Sequence, residues 1–319
     1  MRLATMENGA PDGQLIVVSP DAKRYLLASA VACTLQEALE TWASAKPGLQ
    51  ELASRLTDGE GEELEGHRLL APLPRAWQWL DGSAFPQHGT LMQKAFNLPP
   101  IETDRPLMYQ GLSDRFLAGH VDVILPSEAD GIDFEGEFGV VTDAVPMGTS
   151  AKDALAHVKL ILLINDWSLR AIAPLEMKTG FGWVQAKPAC SVAPYALTPD
   201  DLGSAWIDGR VNLPLEVRLN GQWFGHPNGG EMQFGFHDLI AHAARTRHLV
   251  AGTIIGSGTV SNANYDVVGS CCLSERRAIE AIETGSAKTP FMHFGDHVQM
   301  EVAGPYFGPI SQKIRGSHI

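Results

Sequence analysis

Cysteine is scarce in this chain: Cys33, Cys190, Cys271 and Cys272 are the only four among 319 residues, and no two form a CxxC pair. Adjacent cysteines rarely bridge each other, so the pattern argues against a disulfide framework and for reduced thiols in a cytosolic protein. Positive charge is also in short supply. Lys and Arg number 24 against 37 Asp and Glu, giving a net charge of -13 and a pI near 5.2. That balance argues against nucleic acid and anionic membrane surfaces as partners. An anionic substrate then needs a locally positive site. No apolar run approaches the ~20 residues of a membrane span, and Met1 to Glu7 has no signal-peptide core. Cytoplasmic location is the expectation.

What is abundant points to turns and short strands: there are 32 glycines and 20 prolines, too many for a helical bundle. A chain of this length buries a full core and allows one large domain plus a smaller one. Residues 1–75 read as a small β-rich unit with strands at Gln14–Val18 and Arg24–Leu27. Thr34-Leu35-Gln36-Glu37 is a capping box that opens a helix, with Pro47 expected to interrupt it. The acidic stretch 58–65 reads as solvated surface. Ala71-Pro72-Leu73-Pro74 links this unit to residues 76–319. There a helix is predicted from Ser150 through Ala154, Leu155, Val158, Leu162 and Leu163, ending near Asn165 and Asp166. The run 215–219 followed by Asn220-Gly221 predicts a hairpin with a type I′ turn. Helices are predicted over 236–249 and 274–283, and a strand over 297–302. The expected fold class is mixed α/β, β-rich, with helices around a strand-dominated core.

The chemistry gathers around Glu135-Gly136-Glu137. Two carboxylates one residue apart on an extended segment project from the same face. Their flanks (Ile132, Phe134, Phe138, Val140, Val141) read as buried, where unpaired carboxylates are costly. A hard divalent cation is the simplest partner. Asp81, seven residues before His88, and Asp166 add two more carboxylates. An oxygen-only set suits Mg²⁺, Ca²⁺ or Mn²⁺ better than Zn²⁺. Spacing alone leaves open whether the four converge or stay solvated. His293-x-x-x-His297 has a zinc-ligand spacing, but Gly295 argues against a regular helix there. Gly256-Ser257-Gly258-Thr259 lacks the third glycine of a dinucleotide fingerprint.

Taken in order, several runs resemble the fumarylacetoacetate hydrolase family. They are Asp81-Gly82-Ser83-Ala84-Phe85 with His88, Tyr109-Gln110-Gly111, Asp133-Phe134-Glu135-Gly136-Glu137, Asn165-Asp166-Trp167-Ser168-x-Arg170, Lys187-Pro188 and Gly256-Ser257-Gly258-Thr259-Val260-Ser261. The resemblance covers the chain from Trp77 onward. It implies a mixed β-roll preceded by a small β-rich N-terminal domain, and a homodimer. It implies that Asp81, Glu135, Glu137 and Asp166 bind Mg²⁺ or Ca²⁺, with Mn²⁺ as a third candidate. His88 is then the general base and Lys187 an electrostatic catalyst. Tyr109, Arg170 and Thr259 fall on the substrate side, with Arg170 also supporting the metal loop.

The implied activity is metal-dependent hydrolysis of a carbon–carbon bond in a 1,3-diketo acid such as fumarylacetoacetate, in tyrosine- or homogentisate-type aromatic catabolism. Two rivals remain: a 2-oxo acid hydratase, decarboxylase or tautomerase on the same scaffold, and a non-catalytic binding protein of this fold. The chain departs from the family pattern at Leu273, where a carboxylate orients the base. Glu275, two residues on and on the same face if the segment is a strand, is the expected substitute. Ala173, Ser83 and Asn97 fall where the family carries Gln, Tyr and Arg. Reaction class is therefore better preserved than substrate contacts.

Overall fold

The run Val158–Asn165 is apolar at nearly every position because it is a strand covered on both faces. Ser150 does cap a helix, its side chain accepting from the Asp153 N–H. The helix, however, spans only Ala151–Ala154, tightens into a 3-10 turn at Leu155–His157 and becomes the strand. The helix predicted through Leu163 is thus corrected. A short apolar run fits a buried strand and a helix equally well by periodicity, and the β-branched Val158, Ile161 and Ile164 favour the strand.

A computed structural model describes residues 1–97, 99 and 103–317. The strand lies in a 12-stranded mixed sheet. Its order along the main path is Glu62–Glu63, Arg24–Leu27, Gln14–Val18, Arg2–Met6, Ala196–Leu197, Val158–Asn165, Gly136–Thr142, Ile254–Gly256, Trp79–Gly82 and Met108–Gly111. A second sheet of five strands runs Gln222–Gly225, Glu216–Leu219, His297–Glu301, Ile310–Gly316 and Val123–Leu125. Strand alternation sends Phe138, Val140, Ile161 and Leu163 into the core shared with the second sheet, against Val217, Val298, Met300 and Ile314. The intervening Val141, Leu160, Leu162 and Ile164 meet Leu3, Leu15, Val17, Leu35, Leu39 and Leu49 on the opposite face. Arg2–Met6 pairs with Ala196–Leu197, so the sheet runs without a break from the first strands into the rest of the chain. The result is a β-rich mixed α/β roll.

Local chemistry explains the smaller elements. Thr34 and Glu37 form the expected reciprocal cap on helix Leu35–Glu40. The break that follows is at Thr41, whose backbone (φ -122°, ψ 30°) leaves the helical region, while Pro47 lies inside the next helix, Trp42–Thr57. Pro47 therefore does not interrupt the helix as expected. Asn220 and Gly221 have φ of 52° and 77°, the left-handed pair that a type I′ turn requires. Helix Phe236–Ala243 stops well short of residue 249, and helix Leu273–Thr284 matches its predicted extent closely. His293 and His297 diverge: His293 faces Glu128, and His297 reaches Ser311. Among the described residues no helix is long and apolar enough to cross a membrane.

Candidate metal centre and base

Adjacent strands bring three of the expected carboxylates together. Asp81 lies on Trp79–Gly82, beside Gly256 on one neighbouring strand and Tyr109 on the other. Glu137 is the second residue of Gly136–Thr142 and pairs with Ile164, so Asp166 follows directly from the partner strand. One carboxylate oxygen from each of Asp81, Glu137 and Asp166 lies within 4.8 Å of the other two. All three side chains are buried. Burial, and then the charge of Asp166, pushes Asp81 up to about 8. Burial followed by Asp81 and Asp166 drives Glu137 well above the usual carboxylate range. Neither oxygen of Glu137 has a hydrogen-bond partner among the described residues.

Glu135 sits beside this cup in a different state. Its Oε1 meets Lys187 Nζ at 2.6 Å and Arg170 Nη2 at 2.9 Å, and accepts from the Ser168 hydroxyl. The Thr259 hydroxyl donates to Oε2. Burial alone would raise Glu135, but Arg170, Lys187 and His88 outweigh it and hold the carboxyl well below its ordinary range. Lys187 also reaches Asp166 Oδ2 at 2.5 Å. Burial works against both cations. For Lys187 the charges of Asp166 and Glu135 outweigh it, for Arg170 those of Glu135 and Asp133, and both side chains stay protonated. The four carboxylates named from the sequence thus divide. Glu135 is neutralised by the protein's own cations, whereas Glu137 faces Asp81 and Asp166 with no donor of its own. An orphaned, buried, oxygen-only group of this kind fits a hard divalent ion.

The remaining sequence-named residues line the same region. The Tyr109 hydroxyl donates to Asp166, and burial with the Asp166 charge pushes that phenol up. His88, third in helix Pro86–Phe96, places Nδ1 3.1 Å from Glu275 Oε2. Glu275 is fully buried and is also the third residue of its helix, not a strand residue. The strand-face argument for it is therefore corrected. Cys272 is the last extended residue and caps the helix, so strand parity ends there, and Leu273 turns into the main core. Leu91 packs with Ala278 and Ile279 to hold the two helices together. An isolated bridge between Glu135 and Cys272 sets this assembly against the carboxylate cup.

Three further residues, named in the sequence without a role, also contact the site. Ser168 donates to Glu135, and the Cys190 thiol donates to Asp166 Oδ1 at 3.0 Å. Asp133, fully buried, accepts the Leu273 N–H at 2.7 Å on Oδ1, and the Ser274 N–H at 3.0 Å and Arg170 Nε at 2.8 Å on Oδ2. Its signal was the alternation Asp133, Glu135, Glu137 along one segment.

Residues 78–315 match the family model described as Fumarylacetoacetate (FAA) hydrolase C-terminal, and residues 1–75 match Fumarylacetoacetase N-terminal domain 2. The chain belongs to the fumarylacetoacetate hydrolase family. It is 27% identical over 157 residues to the mitochondrial oxaloacetate tautomerase Fahd2a of Rattus norvegicus, covering 48% of each chain. It is 28% identical over 163 residues to the 2,4-didehydro-3-deoxy-L-rhamnonate hydrolase of Sphingomonas sp. (strain SKA58), covering 50% of this chain and 54% of that one. The chain thus spans about half the length of these curated relatives. The crystal structure of maleylpyruvate hydrolase from Sphingobium sp. SYK-6, in complex with manganese(II) ion and pyruvate, superposes with a TM-score of 0.67 at 15% identity over 99% of each chain.

In this family member the cup tolerates no added atom at Gly256. A Cβ there would lie 2.3 Å from Asp81 Oδ1 and 2.3 Å from the Trp79 ring. Gly256→Ala is expected to cost about 1–3 kcal/mol, the usual range for overpacking, and to weaken divalent-ion affinity. Chemical denaturation and calorimetry check the two effects separately.

Proposed function

We propose that the protein is a divalent-metal-dependent hydrolase that cleaves the carbon–carbon bond of a 1,3-diketo acid of the fumarylacetoacetate type. The observation that carries this reading is the His88–Glu275 pair standing beside a cup whose Glu137 has no partner. Asp81, Glu137 and Asp166, with Glu135 alongside, would hold the ion, which would supply Lewis-acid polarisation of the substrate's carbonyl oxygens. The manganese and pyruvate of maleylpyruvate hydrolase support that assignment.

The chain's own groups divide the rest of the work. Glu275 holds Nδ1 of His88, which leaves Nε2 to take a proton from water. The hydroxide adds to one carbonyl carbon. The bond from that carbon to the central carbon then breaks, its electron pair staying on the central carbon as an enolate. The proton held on Nε2 returns to that carbon, and an acid and a ketone leave. Lys187 and Arg170 offset part of the negative charge of the carboxylates around them, and Lys187, held between Glu135 and Asp166, would stabilise the developing oxyanion.

The tautomerase relative favours a second reading on the same residues, in which His88 only moves a proton between carbon and oxygen of a 2-oxo acid. Turnover of fumarylacetoacetate, acylpyruvates and oxaloacetate in ¹⁸O-labelled water separates the two. Hydrolysis predicts loss of diketone absorbance and one ¹⁸O in the carboxylic acid product. Keto–enol conversion of oxaloacetate, with no cleavage of any diketone, would establish the tautomerase reading instead.

A further inference from the structure

A second group of ligating atoms lies beside the cup, and its chemistry is different. His88, Cys272 and Glu275 each offer one atom, and the three atoms all lie within 4.8 Å of one another. The set is nitrogen, sulfur and oxygen, where the cup is oxygen only. Cys272 and Glu275 are fully buried, while the His88 side chain is 17% exposed, so the cluster is closed on the inside and open at the imidazole. Oε1 of Glu275 is buried with no partner among the described residues. Cys272 is pinned by its backbone bridge to Glu135, and its Sγ lies 3.3 Å from the Glu275 N–H. The reaction outlined above gives this thiol no task.

We propose that His88, Cys272 and Glu275 form an inhibitory zinc site, separate from the catalytic cup. An imidazole nitrogen, a thiolate and a carboxylate oxygen are a ligand set that Zn²⁺ takes with water in the fourth position. Mg²⁺, Ca²⁺ and Mn²⁺ prefer oxygen and have little use for the sulfur. Zinc bound here occupies the imidazole and ties up the carboxylate that orients it, so no base remains to accept the proton of water. Inhibition therefore needs no exchange of the ion in the cup. Metal binding at this cluster stands independently of the proposed hydrolysis; only the loss of activity rests on that reading.

The test uses the full chain saturated with Mg²⁺. Calorimetry with Zn²⁺ is expected to show one tight equivalent in addition to the bound Mg²⁺. Cys272→Ser keeps a side chain suited to capping the helix and should weaken zinc binding on the order of 100-fold, at least the cost of losing an outer-shell partner. Turnover of Cys272→Ser without zinc should match the parent, and its inhibition by zinc should largely vanish. Cd²⁺ alone supplies a readout that needs no substrate and no change at Cys272: its thiolate charge-transfer absorbance should persist in Cys33→Ser, which removes the exposed thiol. The same band should be lost in Cys272→Ser. Equal zinc affinity in the parent and Cys272→Ser would overturn the proposal. Release of Mg²⁺ as zinc binds would do the same, as would a cadmium band that survives in Cys272→Ser, since Cys190 beside Asp166 would then be the thiol engaged.

Discussion

His88→Ala is expected to lower turnover by about 10²–10⁴-fold, the range general-base catalysis contributes, while divalent-ion affinity stays where it was. The two outcomes separate because the imidazole and the cup use different atoms. The His88 Nδ1 faces Glu275, whereas the oxygens proposed to bind the ion belong to Asp81, Glu137 and Asp166. The loss should appear in kcat with KM little changed, since the base acts on water and not on the substrate's binding groups. Glu275→Gln keeps the shape and removes the charge, so it should fall between His88→Ala and the parent. Removing His88 also strips Glu275, which is buried, of its partner, and a modest drop in melting temperature is expected. Steady-state kinetics and calorimetry on the same preparations decide the matter. Full activity in His88→Ala would end the water-activation assignment.

Glu137→Ala and Asp166→Ala should each abolish divalent-ion binding in calorimetry. Glu137→Gln makes the sharper test, because stability and function then move in opposite directions. The Glu137 carboxylate is buried, unpartnered and driven well above its usual range by burial and by Asp81 and Asp166. Neutralising it should stabilise the ion-free protein while erasing the rise in melting temperature that Mg²⁺ or Mn²⁺ gives the parent. The pH dependence follows from Asp81, pushed up to about 8 by burial and Asp166. A carboxyl raised in the fold favours folding most below its ordinary range, and that contribution fades as pH climbs through about 8. The ion must also displace this proton. The thermal shift on adding Mg²⁺ should therefore grow as pH rises toward 8 and shrink on the acid side. A pH-independent shift would argue against Asp81 as a ligand.

Strand parity made the Glu135 and Glu137 pair legible in the sequence, whereas its meeting with Asp81 and Asp166 was implied only by the family resemblance. Asp133, Glu135 and Glu137 alternate along one segment, and the Asn220-Gly221 turn announced its backbone just as directly. Less visible was which carboxylate would be satisfied from within. Glu135 and Glu137 look alike in sequence, and only the approach of Lys187, Arg170 and Thr259 from other elements sets them apart. The strand Val158–Asn165 was hidden by its own burial: with both faces covered, alternation disappears and a helix reads equally well. Glu275 was found for the wrong structural reason. Its link to His88 depends on where Cys272 stops being extended and a helix begins, and helix boundaries are the weakest part of any reading of sequence.

Asp133 is a single hinge-pin between the two halves of the proposed chemistry. Its two oxygens are shared between the first amides of the helix that bears Glu275 and the guanidinium that braces Glu135. A change at this one buried carboxylate would unpair those amides and one side of Arg170 together, so it reaches His88 through Glu275 and the carboxylate cup through Glu135.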